Sequence, residues 1–183
     1  GIFQNAPTII ATHCEDTPMI LANEERARMK YGDSVPFSEH GKIRSREACL
    51  KSSSMAVELA RRENAKLHVL HITTEEELKL FQPENPRITA EACVHHLWFE
   101  DQSYSTLGSL IKCNPAIKKA SDRDAIRQAV KDGRISILAT DHAPHTWEEK
   151  QETYFNAPSG LPLIQHSLPV SYTHLTLPTI SDV

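Results

Sequence analysis

Four short apolar runs divide the chain: Pro7 to Thr12, Lys66 to His71, Arg87 to Ala92 and Arg134 to Thr140. Each is rich in Ile, Val, Leu or Ala and too short for a helix of that hydrophobicity, which predicts buried β-strands. Helix-like stretches lie between them. Glu47 to Glu63 carries apolar residues at Ala48, Met55, Leu59 and Ala60 among good helix formers, without Gly or Pro. Thr74 to Phe81 predicts a second helix, with Thr73 or Thr74 as its cap and glutamates in the first turn, where the helix dipole favours them. Ser121 to Lys131 predicts a third, with Ser121 as N-cap, Asp124 at the third helical position and Gly133 just past the end. Glu100 to Ala120 reads as a loop with a short helix, and Trp147 to Ser159 as a long loop. Strands alternating with helices predict an α/β fold with a parallel sheet.

Each strand runs into polar or ionisable residues. The first is followed by His13-Cys14-Glu15-Asp16, the second reaches His71, the third contains Glu91 and leads to His95-His96, and the fourth leads to Asp141-His142 and His145. Chemistry repeated at the C-terminal ends of parallel strands is the layout of a (β/α)8 barrel. Open doubly wound sheets place sites there too, so the layout leaves both folds open. Two His and one Asp converging from separate strand ends suit a divalent metal in a catalytic site. A carboxylate beside such an ion can hold and relay a proton.

The plainer readings differ from residue to residue. His68 lies three before His71, and strand alternation turns it away, to pack between strand and helix. His95 and His96 are adjacent and read as structural, because neighbours on a strand or turn do not easily face one site. His142 reads as orienting a neighbour, and Glu75-Glu76-Glu77 as a solvated first helical turn. Cys14 and Cys93 read as small buried residues.

Composition narrows the class. Apolar residues make up 39% of the 183 and charged residues 24%, as in a globular protein with its own core. The net charge of -4 and the lack of a basic block exclude a nucleic-acid partner held by bulk electrostatics. No apolar run approaches the roughly 20 residues that cross a bilayer, so no membrane partner is expected. Four widely spaced cysteines without a Cys-x-x-Cys pair read as free thiols in a reducing, cytoplasmic compartment.

The phrases THCED, LHVLHITT, EACVHHLWF, IKCNPAIK and LATDHAPH resemble, in order, the later half of class I dihydroorotases, which belong to the amidohydrolase superfamily. The resemblance covers roughly Pro7 to Val170. It implies a partial (β/α)8 barrel of the metal-dependent amidohydrolase type, about the second half, over residues 1–170. It further implies a cytoplasmic cyclic amide hydrolase with a binuclear Zn²⁺ site, which interconverts N-carbamoyl-L-aspartate and dihydroorotate in pyrimidine biosynthesis. A homo-oligomer is compatible with it. Carried over, His13 and His71 become ligands of the second metal, and Asp141 a ligand of the first and the catalytic acid/base. Asn114 and His145 become substrate contacts, as do Ser159 and Gly160 in the APSG loop, although Ser159 stands where many relatives have an aromatic residue. A hydantoinase or allantoinase is the alternative within the same chemistry; a non-catalytic dihydroorotase-like scaffold subunit is the alternative outside it.

The family's His-x-His pair, its nearby Arg and its bridging Asp or carboxylated Lys are not found in these 183 residues. The chain is therefore expected to begin in mid-protein, near a fifth barrel strand, and to be poorly stable and inactive alone. Residues 171–183, SYTHLTLPTISDV, continue no family motif and are expected to be a non-native or unstructured tail.

Overall fold

The computed structural model describes residues 1–176. Four strands, β1 (Ile10–Thr12), β2 (Leu67–Val69), β3 (Ile88–Cys93) and β4 (Ile137–Ala139), pair in parallel in the order β1-β2-β3-β4. The register sets Ile10 beside Leu67, Leu67 beside Ile88, and Glu91 beside Ile137. Every strand neighbours the next in sequence, the progression of a barrel wall, whereas a doubly wound sheet reverses its order at a switch point. The α/β expectation and the partial barrel both hold.

The main helices are α1 (Thr17–Tyr31), α2 (Arg46–Glu63), α3 (Val94–Trp98) and α4 (Ala120–Lys131). In α2 the Ser45 hydroxyl accepts from the Ala48 amide, and Asn64 ends the helix in a left-handed conformation at φ 53°. Its buried face is Ala48, Cys49, Ser53, Ala56, Val57 and Ala60; Met55, expected on that face, is exposed. Helix α4 starts one residue before its expected N-cap. The Asp122 carboxylate, not Ser121, reaches back to accept from the Lys119 amide at 3.2 Å.

Alternation along the strands sorts the side chains. Leu67, Val69, Ile88, Ala90 and Ala92 pack with Ala56, Val57 and Ala60 of α2 and Ile126 and Ala129 of α4 in the largest core. Burying one such Leu or Val contributes about 1.5–3 kcal/mol. The opposite face carries His68, Thr89 and Glu91. His68 Nδ1 lies 2.8 Å from Thr89 Oγ1, and its Nε2 lies 3.1 Å from Glu91 Oε2. His68 thus faces the polar side of the sheet and not the helices, because Leu67 and Val69 occupy the helix side.

Two further expectations are corrected. Thr74 to Phe81 contains only a 3-10 turn, Glu77–Leu80. Glu77 is buried, not solvated: its carboxylate accepts from the hydroxyls of Ser53 and Thr74 and from the Thr73 amide. Burial pushes its pKa up. Glu76 pairs with Arg46. At the start of the expected tail, Ser171 ends the helix Ser167–Ser171, and Tyr172–Thr176 form a wide helical turn. Residues 177–183 of that expected tail lie outside the described residues. Among the described residues no helix is long and apolar enough to cross a membrane. All four cysteines are free, as expected, and buried, as expected for Cys14 and Cys93.

Candidate metal centre

His13 follows β1, His71 follows β2, and Asp141 follows β4, so all three stand beyond the C-terminal ends of parallel strands. The chain bends sharply at two of them: His71 has φ 37° and Asp141 φ 47°, left-handed values rare outside glycine. His13 Nδ1 and His71 Nε2 face one another at 3.0 Å. The other nitrogen of His13 is 3.0 Å from Glu15 Oε2, and Glu15 in turn accepts from Arg44. This carboxylate fixes the His13 ring, the arrangement that commonly orients metal-ligating imidazoles. Burial raises the Glu15 pKa, yet the His13 hydrogen bond and the Arg44 charge outweigh it and hold the carboxyl below its usual range. Burial, then the neighbouring His13, lowers the His71 pKa to about 4. The Glu91 carboxylate accepts from the His71 amide at 3.3 Å.

Two nitrogens, each about 2.0–2.1 Å from one ion, stand roughly 3 Å apart, which is the observed His13–His71 spacing. The pair therefore fits a transition ion. Asp141 is the third expected ligand. Among the described residues it makes no hydrogen bond or ion pair; burial raises its pKa and the His13 charge lowers it in part. Glu15 and Arg44 were missed as site residues in the sequence, although the HCED phrase already holds the carboxylate.

Three of the expected substrate residues, His145, Ser159 and Gly160, lie on or against one loop. Asn114 precedes a cis peptide bond to Pro115, and its Oδ1 is buried without a partner. His145 Nε2 lies 3.1 Å from the Ser159 carbonyl, and the Gly160 amide donates to the Lys112 carbonyl at 2.8 Å. His142 Nδ1 accepts from the Leu163 amide at 2.8 Å and so anchors the far end of the loop. Two buried lysines hold it from below: Lys112 Nζ donates to the carbonyls of Tyr154 and Ala157, and Lys150 Nζ to those of Ser109 and Pro158. Neither lysine stood out in the sequence. A surface cavity of about 600 Å³ between Met19, Arg26, Ser45 and Lys119 includes none of these residues.

Gly160 has φ 143°, and a Cβ there would meet the Ala143 carbonyl oxygen at 2.5 Å. That oxygen is backbone and cannot swing away. Gly160→Ala should therefore lower the unfolding free energy by about 2 kcal/mol in urea titrations; an unchanged midpoint would contradict this packing.

Burial, then the Lys150 and Arg44 charges, lowers the Lys112 pKa to about 8 from 10.5. The folded state thus binds this proton less readily than the unfolded one. The cost is full below about pH 8 and recedes as pH rises toward the free-lysine value. Cys14, Cys49 and Cys113, pushed up by burial to about 11, 12 and 12, act in the opposite sense, so the test is a difference between two chains. Relative to Lys112→Met, the unaltered chain should gain about 2 kcal/mol of unfolding free energy between about pH 7 and about pH 9.5. A difference independent of pH would refute the charged, buried lysine.

No family profile matches the chain. It is 35% identical over 174 residues to a dihydroorotase of Bacillus licheniformis, covering 90% of this chain and 38% of that protein. The dihydroorotase of Deinococcus radiodurans is 31% identical over 170 residues, covering 90% of this chain and 39% of that protein. The chain thus spans less than two-fifths of the length of these relatives. Among solved structures, the L-hydantoinase of Arthrobacter aurescens superposes with TM-score 0.85 at 21% identity, over 93% of this chain and 39% of that one. Dihydroorotase from Saccharomyces cerevisiae, in complex with 5-fluoroorotic acid, superposes with TM-score 0.62 at 20% identity, over 69% of this chain and 37% of that one.

Proposed function

We propose that this chain, a homologue of the dihydroorotases over nine-tenths of its length, supplies part of the active site of a class I dihydroorotase that opens and closes the dihydroorotate ring. Residues 1–170 form the second half of the barrel in this reading, and the protein works in the cytoplasm. The observation that carries it is the His13–His71 pair, facing across 3.0 Å at the C-terminal strand ends with His13 fixed by Glu15. His13, His71 and Asp141 would hold Zn²⁺, with the remaining ligands coming from outside these residues. Bound there, zinc polarises the ring carbonyl and makes water acidic enough to react near neutrality.

The chain's own groups do the rest. Glu15 keeps the His13 ring turned so that Nδ1 faces inward. The Asp141 carboxylate takes a proton from the attacking water and passes it to the leaving ring nitrogen. Asn114 Oδ1, buried and unpartnered, accepts a ring N–H. His145, Ser159 and Gly160 line the ring from the loop that Lys112 and Lys150 brace.

The test is hydrolysis of dihydroorotate, hydantoin and allantoin by a version with the full length of its relatives, with metal content measured on the same sample. Dihydroorotate turnover with about two zinc ions per chain is expected. Preference for hydantoin or allantoin would overturn the substrate, and bound metal without turnover would favour a scaffold role.

A further inference from the structure

Cys93 ends β3, with its sulfur 4.0 Å from Glu91 Oε1, and His95 and His96 lie in α3 just beyond it. Among the described residues these are the three side chains of the His, Cys, Asp and Glu types whose ligand atoms lie within 4.8 Å of one another. All three are buried, His95 to 2% exposure. Both nitrogens of His95 and Nδ1 of His96 have no hydrogen-bond partner, while His96 Nε2 faces the Pro115 carbonyl at 3.1 Å.

A neutral imidazole has one donor and one acceptor, and leaving both unmade in the interior costs about 1–3 kcal/mol each. Simple packing accounts poorly for that. A metal ion accounts for it well, because it takes lone pairs from rings that have no other use for them. The Pro115 carbonyl holds the far nitrogen of His96, which is how a ligating imidazole is commonly oriented.

We propose that Cys93, His95 and His96 form a metal site of their own, sharing no residue with His13, His71 and Asp141, which takes a transition ion of the zinc class. One thiolate and two imidazoles make a borderline-soft donor set that selects zinc or cobalt over magnesium or calcium. Binding releases the Cys93 thiol proton to solvent as the metal–sulfur bond forms. His95 also lines a cavity of about 400 Å³ with Val94, Trp98, Phe99 and Leu163, which gives the ion a route in and room for a fourth ligand. The inference does not depend on the proposed reaction.

Cobalt distinguishes this site from the strand-end pair, which has no sulfur. Titrating the 183-residue chain with Co²⁺ should raise a sulfur-to-cobalt charge-transfer band that saturates at one ion. Cys93→Ser should abolish the band with the circular dichroism unchanged, and His95→Gln should weaken cobalt binding at least about tenfold, the loss of one good ligand. Cys113→Ser and His13→Gln should leave the band in place; Cys113 is the control because its sulfur lies 3.9 Å from His96 Nε2. If Cys93→Ser does not fold, the His95→Gln result decides. The absence of a thiolate band from the unaltered chain, its loss in Cys113→Ser, or undiminished binding by His95→Gln would each overturn the proposal.

Discussion

On the proposed function, replacing Asp141 by Asn in a full-length version should lower dihydroorotate turnover by about 10²- to 10⁴-fold, the usual contribution of a positioned acid/base. The substitution removes the carboxylate both as a proton carrier and as a zinc ligand, so metal content measured on the same sample separates the two roles. Asn has the same shape and tolerates the left-handed backbone that Asp141 adopts at φ 47°. Asp141 makes no hydrogen bond or ion pair among the described residues, so folding should not suffer, and circular dichroism should be unchanged. The loss should fall on kcat more than on KM, since proton transfer matters in the transition state and not in substrate binding. Retention of more than about a tenth of the turnover would remove Asp141 from the reaction as a proton carrier.

Asp122→Ala should destabilise the chain by about 3 kcal/mol, near the lower end of what breaking a buried ion pair costs. The Asp122 side chain is 1% exposed and joins three segments. It accepts from Arg46 at the start of α2, from the Glu75 amide after β2, and from the Lys119 amide at the start of its own helix. Arg46 is 26% exposed and also pairs with Glu76, so after the substitution it keeps a partner and some water, which holds the cost down. Urea titrations of Asp122→Ala, Arg46→Met and the double variant would measure the coupling. A coupling energy of about 1 kcal/mol or more is expected for two groups in one buried network. Additive effects would mean that Asp122 acts through the two backbone amides alone.

The tertiary structure also explains which elements could be read in advance. The four strands were legible as continuous apolar runs, but only β2 and β3 are buried as expected; the edge strand β4 leaves Ile137 46% and Leu138 39% exposed because no further strand covers it among the described residues. Helix α2 was legible through its composition and its length. Helix α1 was not, because its apolar residues follow no clear 3.6-residue period and only Ile20 and Ala27 are buried. Its ends were the available signal: Asp16 caps the Met19 amide, Pro18 sits in the first turn, and Gly32 closes the helix at φ 60°. The run of three glutamates misled for a different reason. Sequence suggests a solvated turn, while Ser53, Thr73 and Thr74 converge on Glu77 from two segments and bury it.

By itself, the sequence determined the α/β alternation, the free thiols and the strand-end positions of His13, His71 and Asp141. Those depend on local pattern and on short motifs. Only the tertiary structure decided that consecutive strands pair, that His68 faces the polar side of the sheet, and that Glu15 and Arg44 fix the His13 ring. It alone exposed the Lys112–Lys150 brace and the unpartnered nitrogens of His95 and His96. Each of these is a contact between residues distant in the chain, or the lack of one. Burial and pairing of that kind arise only once the backbone has brought the groups together and removed the water that would otherwise satisfy them.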